Sequence, residues 1–315
     1  MPTTVNLDAM IKREDLDVTD KSKVQVTLGP TLKLYELERN STTFHILRKP
    51  DFQRETANWS PEKVAEMVFS FVEGDLIPSI IVWRSPTSGK VFVIDGAHRL
   101  SALIAWINDD YGDQTLSRAL FGDLVNDPQQ KKIAAKTRNL VLSKVGGTYD
   151  RLKEYVMNPP GAPSEEVLVR ARNASSLSFT LQDVHGDVAK AERSFLRINQ
   201  SATPIDPTEF MLIQSRRKPN AIAARALMHA GEGHAYWGAF DEAAQKRIKT
   251  VASEAYDDLF RPILEYPIRT VQLPAAGLAL TSDSLDLVFN LVNHLNGVVD
   301  ASTKKNPGTW GIVLI

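Results

Sequence analysis

Residues 91–108 read VFVIDGAHRLSALIAWIN. The run Val91 to Ile94 is β-prone, and from Arg99 to Asn108 the apolar residues Leu100, Leu103, Ile104 and Ile107 fall on one helical face. Between the two lies the junction Asp95, Gly96, Ala97, His98 and Arg99. A strand that ends in a carboxylate, turns on a glycine and enters a helix brings free backbone N–H groups and the positive end of the helix dipole to one point. His98 and Arg99 add hydrogen-bonding or cationic side chains there, and an arginine fork matches phosphate oxygens bidentately. The junction predicts an anion site in an α/β (α+β) domain, and its leading reading is a nucleotide-handling protein.

Working towards the N-terminus, Ile80 to Trp83 and Val91 to Ile94 are separated by Pro86, Thr87, Ser88 and Gly89, which predicts a hairpin. Before it, Ser60 is suited to the N-cap and Pro61 to the first helical position, while Val64, Met67, Val68, Phe71 and Val72 recur at helical spacing. Gly74 is the expected stop of that helix, with Leu76 placed to fold back on it. The first 40 residues are polar and mixed. Residues 1–30 read as a partly ordered arm, leading into strands around Leu32, Leu34 and Tyr35 and then Thr43 to Leu47.

Towards the C-terminus, residues 114–178 read as an insertion, with a basic cluster at Lys131, Lys132, Lys136 and Arg138 and a Pro/Gly-rich loop from Asn158 to Ser164. Phe179 to Val184 alternates like a strand, and Glu192 to Asn199 carries Phe195, Leu196, Arg197, Ile198 and Asn199. Asp206, Pro207, Thr208 and Glu209 form a capping box, with Ile205 and Phe210 spaced for a hydrophobic staple. Beyond Arg216 the pattern is helical to about Val299, broken near Gly231 to Gly233 and Pro267 to Pro274. The expected domains are the arm, a nucleotide-binding domain over 31–215 that contains the insertion, and a helical lobe over 216–315.

Composition narrows the function classes. The 315 residues are 43% hydrophobic, enough for a large core, and Lys plus Arg (37) balance Asp plus Glu (38). Such balance gives no global signature of a nucleic-acid coat or a membrane-surface binder, although local basic patches remain open. Cysteine is absent, which excludes disulfides, thiolate catalysis and Cys-ligated metal. No apolar run has transmembrane length and no signal-peptide pattern starts the chain, so a soluble, cytoplasmic protein without a membrane partner is expected.

Three motifs occur in order: Phe52-Gln53-Arg54 with Trp59, then Ile94-Asp95-Gly96-Ala97-His98-Arg99-Leu100, then Phe195-Leu196-Arg197-Ile198-Asn199 with the Pro204-Ile205 to Glu209 cap. Over roughly residues 30 to 215 the set resembles the ParB/sulfiredoxin-like domain superfamily, and most closely the N-terminal, nucleotide-hydrolysing half of GmrSD-type modification-dependent restriction enzymes. The resemblance implies a mixed-sheet core that binds a nucleoside triphosphate and, in several branches, hydrolyses it to control a nuclease or a DNA-bound state. Gln53 and Arg54 match the family's Gln-Arg pair, and Asp95, Gly96, His98 and Arg99 match its Asp-Gly-Gln-Gln/His-Arg signature. Asn199 falls where related proteins often place an amide near the nucleotide or its metal. Sulfiredoxins carry a catalytic Cys where this chain has Ala97, so that reduction is excluded. Nothing after Arg216 resembles the His-Asn-His nuclease that follows in the restriction enzymes; His229 and His234 lack its acidic and asparagine partners.

The expected machinery is then an NTPase with Asp95, His98 and Arg99 as catalytic residues. Gln53, Arg54, Gly96, Ala97, Arg99 and Arg197 would hold the nucleotide, which is ATP, GTP or CTP. Mg²⁺ would sit on Asp95 and Asn199, a sparse set that suits an ion keeping most of its waters. Asp95 has three open roles: holding Mg²⁺ through water, orienting the attacking water, or fixing Arg99. The bland alternatives are a structural Asp95–Arg99 salt bridge, a structural hydrogen bond for His98, and a packing role for Trp59. Lys131, Lys132, Lys136, Arg138, Arg216 and Arg217 are the candidates for nucleic-acid contact, although such runs are more often solvated faces. A nuclease or DNA-modification subunit and a second copy of the chain are the other expected partners. The competing function is a non-hydrolysing, ParB-like DNA-binding regulator; a nuclease activity of the chain itself is disfavoured for want of a metal–carboxylate constellation.

Overall fold

Pairing of the apolar run at 91–94 with two other strands sets the architecture. The computed structural model describes residues 4–17, 28–53, 56–202, 211–213, 215–238, 240–261, 282–295 and 297. They fall into two units, Pro2–Pro204 and Ile205–Ile315. In the first, chain order is β1 (Lys12–Glu14), β2 (Thr31–Lys33), α1 (Thr42–Ile46), β3 (Leu47–Pro50), α2 (Pro61–Glu73), β4 (Ile80–Arg84), β5 (Val91–Asp95), α3 (Ala97–Ile107), α4 (Thr115–Phe121), α5 (Pro128–Val145), α6 (Tyr149–Met157), α7 (Glu165–Ser176), β6 (Ser178–Val184) and α8 (Val188–Ala202).

The six strands make one mixed sheet in the order β1-β3-β5-β4-β6-β2. β1, β3 and β5 run parallel, with Lys12 opposite Arg48 and Leu47 opposite Val91. β4 is antiparallel to β5 and parallel to β6, and β2 closes the far edge antiparallel to β6. Val91 through Ile94 are all buried, the signature of a central strand covered on both faces. β6 shows the period of two that its sequence predicts, burying Phe179 and Leu181 between exposed Ser178, Thr180 and Gln182.

α2 begins and ends where its sequence signals lie. Ser60 accepts a hydrogen bond from the Lys63 amide, and Gly74 stops the helix in the left-handed region at φ 85°. Leu76 does not fold back: it is fully exposed, and Ile77 packs on the core instead. α3 departs from a one-faced amphipathic helix, since Ser101, Ala102, Ala105 and Trp106 are buried along with Leu100, Leu103, Ile104 and Ile107. Past Arg99 the helix carries no charge, and Trp106 meets the edge of Tyr149 at 5.4 Å. Residues 114–178 are mostly helical, with α5 and α7 both packed on α2.

Two N-terminal expectations change. Thr43 to Ile46 form a helical turn capped by Ser41 rather than a strand. Val5, Leu7, Met10 and Ile11, read above as part of an arm, are buried core residues because β1 extends the sheet and Val5 bridges to Trp59.

The second unit contains the helices α9 (Pro219–Met228), α10 (Glu242–Phe260) and α11 (Ser282–Leu295). Ala226, Trp237 and Ala252 form a small core there, and Asn220 donates to Asn293 at 2.7 Å. The break at Gly231 is a close approach: its φ is 71°, and a Cβ would lie 2.7 Å from the Lys249 Cα. The expected capping box at 206–209, its staple at Ile205 and Phe210, and the break at Pro267 to Pro274 lie outside the described residues. Among the described residues no helix is long and apolar enough to cross a membrane.

Leu103 is fully buried in α3. Leu103→Ala is expected to cost about 2–5 kcal/mol, read as a lowered midpoint with unchanged slope in urea unfolding.

Candidate functional site

Parallel pairing of β3 with β5 sends the two chain segments that follow them out at the same edge of the sheet. β4, antiparallel to β5, begins at that edge, with Ile81 opposite Asp95. The 51–60 loop, the 95–99 turn and the segment ending at Pro78 and Ser79 therefore meet at the carboxyl ends of adjacent strands, where open α/β sheets place ligands.

Gly96 makes the turn. Its φ of 96° lies in the left-handed region, and a Cβ there would stand 2.5 Å from Ile80 Cδ1. As N-cap of α3 its carbonyl accepts from the Leu100 amide at 3.0 Å, and no side chain caps the first turn. That first turn presents backbone donors together with the positive helix end. Arg99 reaches back across it: Nη2 donates to Asp95 Oδ2 at 2.7 Å and Nη1 to the Pro78 carbonyl at 2.5 Å. The salt bridge set out above as the structural alternative is thus formed, and it fixes the guanidinium at the mouth of the turn. Among the described residues, two of the five Arg99 guanidinium N–H donors are engaged.

His98 is half-buried and stacks on Trp59 at 5.5 Å between ring centroids, with Nε2 3.1 Å from Asn58 Oδ1. The Lys63 ammonium stands 4.8 Å over the Trp59 ring. Trp59 therefore ties the 51–60 loop to the start of α3. At the other end of the loop, Phe52 meets the edge of Phe195 on α8 at 5.1 Å, and α8 packs against β5. The three sequence motifs are connected through these aromatic contacts.

The loop itself is held by groups the sequence did not single out. Asp8, Arg13 and Lys49 are 4%, 8% and 0% exposed. Arg13 forks onto both Asp8 oxygens, Nε to Oδ2 at 3.0 Å and Nη2 to Oδ1 at 2.7 Å. Its Nη1 donates to the Asp51 carbonyl at 3.3 Å and to the Gln53 carbonyl. Lys49 Nζ donates to Asp8 Oδ1 at 2.6 Å and to Thr56 Oγ1 at 2.8 Å, and the Thr56 amide donates to Asp8 Oδ1 at 3.0 Å. Burial alone would raise the Asp8 carboxyl, but the Arg13 and Lys49 charges outweigh it and hold the group well below the ordinary carboxylate range. No motif announces this cluster, because its members are scattered through a turn, an edge strand and an inner strand.

Of the remaining expected site residues, Gln53 is half-buried and Ala97 buried. The Gln53 amide oxygen is enclosed and accepts no hydrogen bond. Arg197 is exposed on α8, while Arg54 and the side chain of Asn199 lie outside the described residues. The basic cluster on α5 is divided: Lys136 pairs with Glu62 at 2.6 Å, Arg138 pairs with Asp109 and Asp113 and lies over Tyr111, and Lys131 and Lys132 are exposed. Arg216 is half-buried and Arg217 exposed in the second unit. Among the described residues no group of three His, Asp or Glu could hold a metal ion. The donor set at Asp95 still fits Mg²⁺, which takes one or two protein oxygens beside phosphates, because only its Oδ2 is occupied and the side chain is 39% exposed.

Fold and site together define a mixed α/β domain with a glycine-started helix facing an ion pair. The family model for the N-terminal domain of the GmrSD restriction endonuclease matches residues 32–215, more than half of the chain. The chain belongs to that family and so to the proteins of restriction and defence systems. Neither the curated proteins nor the solved structures compared with it gave a match.

Two outcomes follow from the geometry. Gly96→Ala is expected to cost about 1–3 kcal/mol in chemical unfolding, because the left-handed φ and the contact with Ile80 act together. Asp8 adds stability that is whole above its unfolded value near pH 4 and is lost as pH falls through its lowered folded value. Wild type should therefore exceed Asp8→Asn in unfolding free energy at pH 7, and the gap should close progressively below pH 4.

Proposed function

We propose that the 95–99 turn binds the phosphates of a nucleoside triphosphate and hydrolyses it, within a restriction or phage-defence system. The observation that carries this reading is the delivery of an uncapped helix start and a fixed arginine to the edge where the 51–60 loop also emerges. The amides of Ala97, His98 and Arg99 supply hydrogen bonds to phosphate oxygens, and the helix end adds favourable field. Arg99 stabilises charge developing on those oxygens from a position that needs no rearrangement during the reaction. His98 donates to a phosphate oxygen, with its ring orientation set by Asn58 and Trp59.

Mg²⁺ bound with the nucleotide would neutralise phosphate charge and be held by Asp95, with Asn199 as the second expected ligand. Gln53, Arg54 and Arg197 complete the nucleotide contacts in this reading. The base is that of ATP, GTP or CTP. DNA cleavage is assigned to a nuclease subunit whose action the nucleotide state controls, and DNA contact to the exposed Lys131 and Lys132.

Titration of the four ribonucleoside triphosphates with and without Mg²⁺, with released phosphate measured in parallel, tests the proposal. Saturable, Mg²⁺-dependent binding is expected, and Arg99→Ala should weaken it by about 10- to 100-fold, the equivalent of one or two lost charge-assisted hydrogen bonds. No binding of any triphosphate at millimolar concentration overturns the reading. Salt-sensitive DNA binding that survives Arg99→Ala, without phosphate release, would instead support a non-hydrolysing regulator.

A further inference from the structure

Residues 5–14 hydrogen-bond to both ends of the 51–59 loop. The Val5 amide donates to the Trp59 carbonyl and the Leu7 amide to the Thr56 carbonyl, both at 2.8 Å, while the Asp51 amide donates to the Glu14 carbonyl at 3.0 Å. Between these backbone contacts sits the buried Asp8–Arg13–Lys49 cluster, which grips the carbonyls of Asp51 and Gln53 and the amide and hydroxyl of Thr56. Of these residues, Asp8 and Arg13 precede the family match, which begins at residue 32.

We infer that Asp8 and Arg13 are positioning residues for the ligand site: a dry ionic clamp, contributed by the N-terminal segment, that sets the loop carrying Gln53, Arg54 and Trp59 against the 95–99 turn. This inference rests on the proposed binding of a triphosphate at that turn. Without the 5–14 segment, a loop of about nine residues would lose these backbone partners and sample many conformations that must be given up on binding. The clamp removes that freedom beforehand. An arginine is needed at position 13, because a single planar fork spans a carboxylate and two carbonyls. A lysine retains the charge next to Asp8 and cannot make the span.

Arg13→Lys in the full chain tests this, with Arg84→Lys as the control. Arg84 on β4 also forks onto a carboxylate, Asp183 on β6, and donates to a backbone carbonyl, that of Leu28 ahead of β2. Amide exchange is followed by mass spectrometry and affinity by titration of fluorescent ribonucleoside triphosphates with Mg²⁺. Arg13→Lys should speed exchange at least tenfold in peptides covering 51–59, leave peptides from β4 and β5 unchanged, and weaken triphosphate binding at least tenfold. Arg84→Lys should leave both the 51–59 exchange and the affinity at wild-type values. Thr56→Val, which deletes one hydroxyl of the cluster, carries the same test with a smaller effect if Arg13→Lys does not fold. Unchanged exchange in 51–59, or faster exchange with unchanged affinity, overturns the clamp as a positioning device. A wild type that binds no triphosphate overturns the nucleotide reading and the positioning role together, whereas binding that is intact in both wild type and Arg13→Lys overturns the positioning role alone.

Discussion

The parallel pairing of β3 with β5 is the constraint on which the site depends. Parallel neighbours end at the same edge of a sheet, so whatever follows each strand is brought together without further design. Here one strand is followed by the loop bearing Gln53 and Trp59, and the other by the turn bearing Asp95 to Arg99. Reversing either strand would put these segments at opposite ends of the sheet. The hairpin to β4 adds the Pro78 carbonyl at that edge, which gives Arg99 its second anchor.

Around this edge the protein places charge in two different environments. Asp95 and Arg99 remain partly open to solvent, where an ion pair is modest in energy and can still share its donors with an anion. Asp8, Arg13 and Lys49 lie beneath the loop with almost no exposure, where a pair is costly to form and costly to break. The buried charges hold the Asp51, Gln53 and Thr56 backbone by hydrogen bonds, and the exposed pair lies at the start of α3. The second unit is helical and has its own small core of Ala226, Trp237 and Ala252.

Much of the fold was legible before any coordinates. Ser60, Pro61 and Gly74 bounded α2 because capping and left-handed termination are decided by one or two residues each. The hairpin around Gly89, the alternation of β6 and the strand-to-helix turn at Gly96 are local in the same sense. Where local cues were weak the reading slipped. Thr43, Phe44 and Ile46 are β-prone, yet the Ser41 cap made the segment a helical turn. Leu76 looked placed to close the end of α2, and Ile77 took that role because the chain needed to reach β4.

The sequence alone determined where the strand-to-helix turn lies, which side chains it carries, and which family it resembles, because all three are carried by contiguous residues. Only the tertiary structure decided that Arg13 joins Asp8 to the Asp51 and Gln53 carbonyls, that Lys136 pairs with Glu62 and Arg138 with Asp109 and Asp113, and that α3 is buried nearly all round. The reason is physical. Capping, turns and periodicity act over a few residues, whereas an ion pair between positions 8 and 49 acquires its strength from burial that exists only once the sheet has formed.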